Sequence, residues 1–201
     1  MRSDRVRRGL LLSAAMVCLS AASTAPADVL LVPSEYATIQ AALDAALAGD
    51  VVEIADGTYT GEGNKNLNFL GKAITVRSAS GKPANCSIDC ERSGRGVYFD
   101  AGEGADTRLE GVAILNGGVD YGGGLYIGAS APTIVNCIIK GNEARSQGGG
   151  VHCGDSSALL IRCEISMNTS RRGGGFYGGG DPGPTLIDCK ISLNEAEDGG
   201  G

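Results

Sequence analysis

Beyond residue 27 the chain carries a single histidine, His152, and six cysteines: Cys86, Cys90, Cys137, Cys153, Cys163 and Cys189. Their spacing does not build a tetrahedral metal site. Cys153 adjoins His152, yet no further His or Cys follows at the interval such a site needs, and the CxxxC of Cys86 and Cys90 stands alone. No metal or cofactor is expected. An even cysteine count in an exported chain points to disulfides, and Cys86 and Cys90 are near enough in sequence to pair. Cys137, Cys163 and Cys189 lie 26 residues apart. They read as a column of buried thiols serving as small apolar groups, with room for one bridge between neighbours.

The aromatic residues offer a different chemistry. Aligning Gly96-Val97-Tyr98-Phe99 with the later "GGLYI", "GGVHC" and "GGFYG" places Tyr98, Tyr126, His152 and Tyr177 at one equivalent position. Val97, Leu125, Val151 and Phe176 sit beside them, facing inward. Four outward rings over three rungs span ~14 Å at strand spacing. A file of flat amphipathic rings suits the faces of sugar rings, so these four residues form the candidate ligand-binding stripe. The alternative is that the rings pack on one another outside the coil.

The elements that would position these residues follow from an internal repeat. Gly-Gly-Gly occurs at 122–124, 148–150, 173–175 and 199–201. Asn116, Asn142, Asn168 and Asn194 recur every 26 residues, as do the three cysteines. Within each unit apolar residues alternate: Val135, Cys137, Ile139; Ile161, Cys163, Ile165; Ile187, Cys189, Ile191. That period of two is a strand's, and an earlier rung fits at Leu109, Gly111 and Ala113. A second strand follows each glycine triplet. Short strands at a fixed period with no helix between them cannot form βαβ units. They can wind as a coil in which each turn hydrogen-bonds to the next, a parallel β-helix. The cysteines then make an interior ladder and the asparagines a turn ladder. The glycines fill a corner that needs positive φ and lies against neighbouring coils. Asp188 stacks over Arg162 and Lys190 over Glu164, as surface pairs. The horseshoe alternative would need L-x-x-L-x-L, which is absent.

Residues 28–50 read as the entry to the coil. Val29–Val32 is a strand. Ser34 caps a helix opening at Ser34-Glu35-Tyr36-Ala37, with Ile39, Ala42, Leu43, Ala46 and Leu47 on its apolar face and Gly49 at its end. Coils run from 51 to 201. "VPSEYATIQAALDAALAGDVVEIADGTYTG" resembles the N-terminal cap of right-handed parallel β-helix proteins of the pectin-lyase-like superfamily. "GGGLY", "GGGVH" and "GGGFY", with "ILN", "IKGN", "ISMN" and "ISLN", resemble the repeats of bacterial polymorphic outer-membrane proteins, with Ile or Ala where those carry Phe. The resemblance spans residues 29–201. It implies an all-β, right-handed parallel β-helix with a short α-helical cap, and leaves function open, since the fold carries many.

That superfamily includes polysaccharide lyases, hydrolases and esterases. A lyase needs a base beside the uronate and carboxylates holding Ca²⁺; a hydrolase needs Asp or Glu residues converging on one face. The outward residues placed here do not converge so, and the Gln-Asp, Asn-Thr-Asp and Arg-His-Gly patterns of the esterases and polygalacturonases are missing. The glycine corners match neither the Ca²⁺ nonapeptide nor a phosphate loop. The expected function is a non-catalytic surface or extracellular binding module. The alternative is a polysaccharide lyase or hydrolase, with a site near Arg171, Arg172 and Asp181.

Location is read from the first 27 residues. Arg2, Arg5, Arg7 and Arg8 precede an apolar run, and Ala25-Pro26-Ala27 offers an A-x-A cleavage site, so 1–27 reads as a secretory signal. Its removal leaves 13 basic and 22 acidic residues, a net charge of −9. Such a chain presents no basic face for nucleic acid, and no later apolar run is long enough to span a bilayer. The expected partner is a polysaccharide or cell-surface glycan. The chain stops at a corner with no C-terminal cap, which raises the expectation of a fragment or of end-to-end association.

Overall fold

The computed structural model describes residues 26–198. The signal-peptide reading therefore rests almost wholly on residues outside the described ones, as does the fourth glycine triplet. The chain winds as a parallel β-solenoid. Each complete turn contributes four short strands, for example Leu125–Gly128, Thr133–Val135, Ile138–Lys140 and Glu143–Gln147. Equivalent strands stack into four parallel sheets of seven, six, five and four strands. Every inter-strand pair recorded along these sheets is parallel, from Val29↔Val51 to Arg172↔Asp198.

Four strands per turn is twice the number expected, and the reason lies in the corners. Asn136, Arg162 and Asp188 have φ of 50–52°. Each ends one strand and starts another, so the apparent alternation through Val135, Cys137 and Ile139 crosses a bend. The inward residue before the bend is Ile134, Leu160 or Leu186, not Val135, Ile161 or Ile187. Leu30, Val52, Val76, Leu109, Ile134, Leu160 and Leu186 form one seven-rung aliphatic column. After the bend Cys137 and Ile139 do face the core.

The glycine corner is built for both reasons anticipated. Gly122, Gly148 and Gly173 have φ of +59°, +65° and +57°, where a Cβ is strained. The second and third glycines pass too close to the next coil. A Cβ on Gly149 would stand 2.3 Å from the Thr169 carbonyl oxygen, and one on Gly150 would stand 2.8 Å from Nδ2 of Asn168.

That last contact joins the glycine mark to the asparagine mark. Asn142, Asn168 and Asn194 point inward beneath the corner. Asn168 Oδ1 accepts from the backbone N and Nδ2 of Asn142 at 2.9 and 3.0 Å, and Asn194 Oδ1 accepts likewise from Asn168 at 2.9 and 3.1 Å. Each Nδ2 also donates to a carbonyl of the preceding turn: Ile114, Ile139 or Ile165. Asn116 does not belong to this ladder. Strand pairing of Leu115 with Lys140 and of Gly118 with Glu143 puts Gly117 in the Asn column and Asn116 opposite Gly141. Asn116 is a left-handed corner residue, φ 54°, whose Nδ2 donates to the Asp89 carboxylate.

The helix spans Ile39–Ala45 and is shorter than expected. Its N-cap is Thr38, whose hydroxyl accepts from Ala41 N, rather than Ser34; its C-cap is Ala46, before Gly49. Ile39, Ala42 and Leu43 are buried against the first rungs, but Leu47 is exposed. Among the described residues no helix is long and apolar enough to cross a membrane.

Candidate functional site

The five-stranded sheet carries the aromatic residues. Strand register stacks Tyr98 on Tyr126, Tyr126 on His152 and His152 on Tyr177. The sequence therefore brought the right four side chains together, and all four are half-buried. Ring geometry decides what they present. Tyr126 and His152 have centroids 5.1 Å apart and planes 7° apart; His152 and Tyr177, 5.3 Å and 4°. Parallel rings this close must lie face to face, because coplanar rings would collide. The rings thus spend their faces on each other and show their edges to solvent. A platform of free faces, as expected for sugar stacking, is replaced by a row of ring edges and polar tips.

Arg95 organises the first end of the column. Tyr98 and Tyr126 are 6.4 Å apart and tilted by 58°, with the Arg95 guanidinium 4.1 Å from one centroid and 4.9 Å from the other. Arg95 is buried, and its Nε and Nη1 have no hydrogen-bond partner. Burial lowers its pKa, opposed by the two phenols and Asp100. The ring quadrupoles substitute for a carboxylate. Sequence reasoning passed over Arg95. Its signal is that Val97 pairs with Leu125, which sets Arg95 opposite Gly123, a corner position that is glycine in the next turns.

His152 is held below its ordinary pKa, first by burial and then by the Arg95 charge. Its Nδ1 is buried without a partner, and Tyr121 meets its ring edge-on at 5.6 Å. The ring lies over Gly154, where a Cβ would stand 3.3 Å from Nε2; Tyr126 lies over Gly128 in the same way, at 3.0 Å from Cε1.

Two adjoining clefts border the column. One, about 440 Å³, is lined by Asp100, Tyr126, Gly128, His152 and Asp155 among others. The second, about 460 Å³, shares Ala129 and Asp155 with it and adds Glu103, Asp181 and Pro182. Glu103 is fully engaged: its carboxylate accepts from Gly71 N, Ala101 N and Ser130 Oγ. No Lys or Arg lines either cleft.

The remaining expected residues fall elsewhere. Arg171 and Arg172 are on the four-stranded sheet, facing Glu197 and Asp198 at 3.8 and 3.7 Å, so they do not join Asp181. Glu164 and Lys190 are in register as expected, and Arg162 and Asp188 likewise, but neither pair closes to ion-pair distance. Asp120 and Arg145 do, at 3.1 Å.

The cysteines are all unbridged. Cys86 and Cys90 sit at opposite ends of an extended strand, about 13 Å apart at ~3.3 Å per residue, beyond disulfide reach. Cys137, Cys163 and Cys189 are aligned on adjacent turns: Glu164 N donates to the Cys137 carbonyl at 2.9 Å and Lys190 N to that of Cys163 at 2.8 Å. The same register places Cys86 in this column, with Val112 between it and Cys137. The 26-residue period hid Cys86, because the early turns are longer. Among the described residues no group of three or more His, Cys, Asp or Glu side chains is arranged around a metal position.

Comparison with family models, with curated proteins and with solved structures finds no match to this chain.

Proposed function

We propose that the protein is an exported, non-catalytic β-solenoid module that binds polysaccharide along the edge of the Tyr98–Tyr126–His152–Tyr177 column. One observation carries the reading: four aromatic side chains on consecutive turns lie in register beside two open clefts. Phenol hydroxyls and the carboxylates of Asp100, Asp155 and Asp181 supply acceptors and donors for sugar hydroxyls. The acidic lining favours a neutral glycan over a uronate. The resemblance to pectin-lyase-like proteins supports the same ligand class.

The test is retention of wild type and the Tyr126→Ala/Tyr177→Ala variant on immobilised neutral and acidic polysaccharides. The reading expects retardation on a neutral gel that the double variant loses while keeping its thermal transition. Equal retention of the two proteins ends it.

A second reading, lyase or hydrolase, draws on His152, kept neutral and lining a cleft with Asp100 and Asp155. It predicts release of unsaturated uronates or reducing ends from a pectin, alginate and glycosaminoglycan panel, abolished by His152→Gln.

A further inference from the structure

The strongest unexplained feature is the thiol column. Three free sulfurs on consecutive turns face one another inside the coil, Cys137 1% exposed and Cys163 2%. Their Sγ atoms have only weak partners, carbonyls at 3.3–3.6 Å. Parallel, in-register side chains are about 4.8 Å apart. That is too far for a disulfide, whose Cβ atoms approach to about 3.8 Å. It matches the span of a cation bound in line by two thiolates, about 4.6 Å from two metal–sulfur bonds of ~2.3 Å.

We propose that the Cys137–Cys163–Cys189 column is a two-coordinate site for a thiophilic closed-shell cation of the Hg(II), Ag(I) and Cu(I) class, held between sulfurs of adjacent turns. Soft sulfur ligands select such ions. Zn(II) would require four ligands, and a straight file of thiols cannot surround it. With Hg(II), two S–H bonds break, two S–Hg bonds form and two protons leave to solvent; no electrons are transferred. The product is neutral, so it suits a dry core better than the anion that a monovalent ion would leave. Cys163 is the member shared by both possible pairs. It is also the more acidic of the Cys137–Cys163 pair, because the neighbouring thiols donate toward it while burial pushes Cys137 up.

Cys86 is the internal control. It shares the column, but Val112 separates it from Cys137 by one rung, so those two sulfurs stand about 9.6 Å apart at strand spacing and cannot hold one ion in line.

The experiment counts protons released by the first equivalent of Hg(II), added to native full-length protein and during refolding from urea. Wild type and Cys86→Ala are expected to release two, with the ultraviolet charge-transfer band of a bis-thiolate. Cys163→Ala leaves only sulfurs two rungs apart and is expected to release one. Release of two from Cys163→Ala, or of one from wild type, overturns the proposal. Val112→Cys serves if Cys163→Ala does not fold: it closes the gap in the column, so the second equivalent should also release two protons. A second equivalent releasing one would refute the rung-spacing argument.

Discussion

Asn168→Ala isolates the contribution of the asparagine ladder. Asn168 is fully buried. Its Oδ1 is the acceptor recorded for the Asn142 backbone N–H, and its Nδ2 donates to the Ile139 carbonyl at 2.9 Å. Alanine would leave both backbone groups unpaired in the core. Asn142 Nδ2 keeps Ile114 O, and Asn194 Oδ1 keeps Asn168 N, so those two atoms are not orphaned. At about 1–3 kcal/mol for each buried unpaired group, the loss is about 2–6 kcal/mol. For a chain of this length, ~3 °C per kcal/mol makes the fall in Tm roughly 10 °C. Asn116→Ala is the matched control. It removes bonds to a partly solvated Asp89 and should cost less than about 1 kcal/mol. The measurement is urea unfolding followed by far-UV circular dichroism. If Asn116→Ala proves as damaging as Asn168→Ala, the four asparagines form one ladder after all and the register argument fails.

Gly149→Ala should destabilise by more than about 3 kcal/mol, because its Cβ would meet backbone oxygens of Thr169 and Gly174 at 2.3 and 2.5 Å; Gly179→Ala, with nothing within 4 Å, should stay within about 0.5 kcal/mol in the same denaturation assay. His152 has a depressed folded pKa, so the unfolded chain takes up the proton first; thermal stability should fall as pH drops below about 6.5, and His152→Tyr should remove that part of the slope. Arg95→Met keeps the volume between Tyr98 and Tyr126 while deleting two unpaired buried donors. Its unfolding midpoint should shift by no more than about 1 kcal/mol, the lost cation–π attraction offsetting the gain.

The winding, the glycine corner and three of the column assignments were legible because each is a periodic mark, and a solenoid turns period into adjacency. Strand number was not. A left-handed residue such as Asn136 has no fixed sequence signature, since Arg162 and Asp188 do the same work, so two three-residue strands looked like one. Asn116 misled for a related reason. The turn from Gly117 to Asn142 holds one residue fewer than the next, and equal spacing in sequence then slips by one position in space. Of the candidate site, the identity of the four stacked side chains was readable but their orientation was not. Alternation tells which way Cβ points; it cannot tell that neighbouring rings will close face to face, or that Arg95 will take the place that glycine holds on later turns.

Every hydrogen bond of the asparagine ladder joins one turn only to the next, and the strand pairs do the same. A chain built this way has no global closure to satisfy. Excising one entire revolution, such as residues 143–168, would bring Asn142 directly before Thr169 and seat like upon like again. The molecule would shorten by about 4.8 Å and keep its cross-section. Gene duplication could lengthen it by the same quantum, which makes reach a freely adjustable property and cross-section a conserved one.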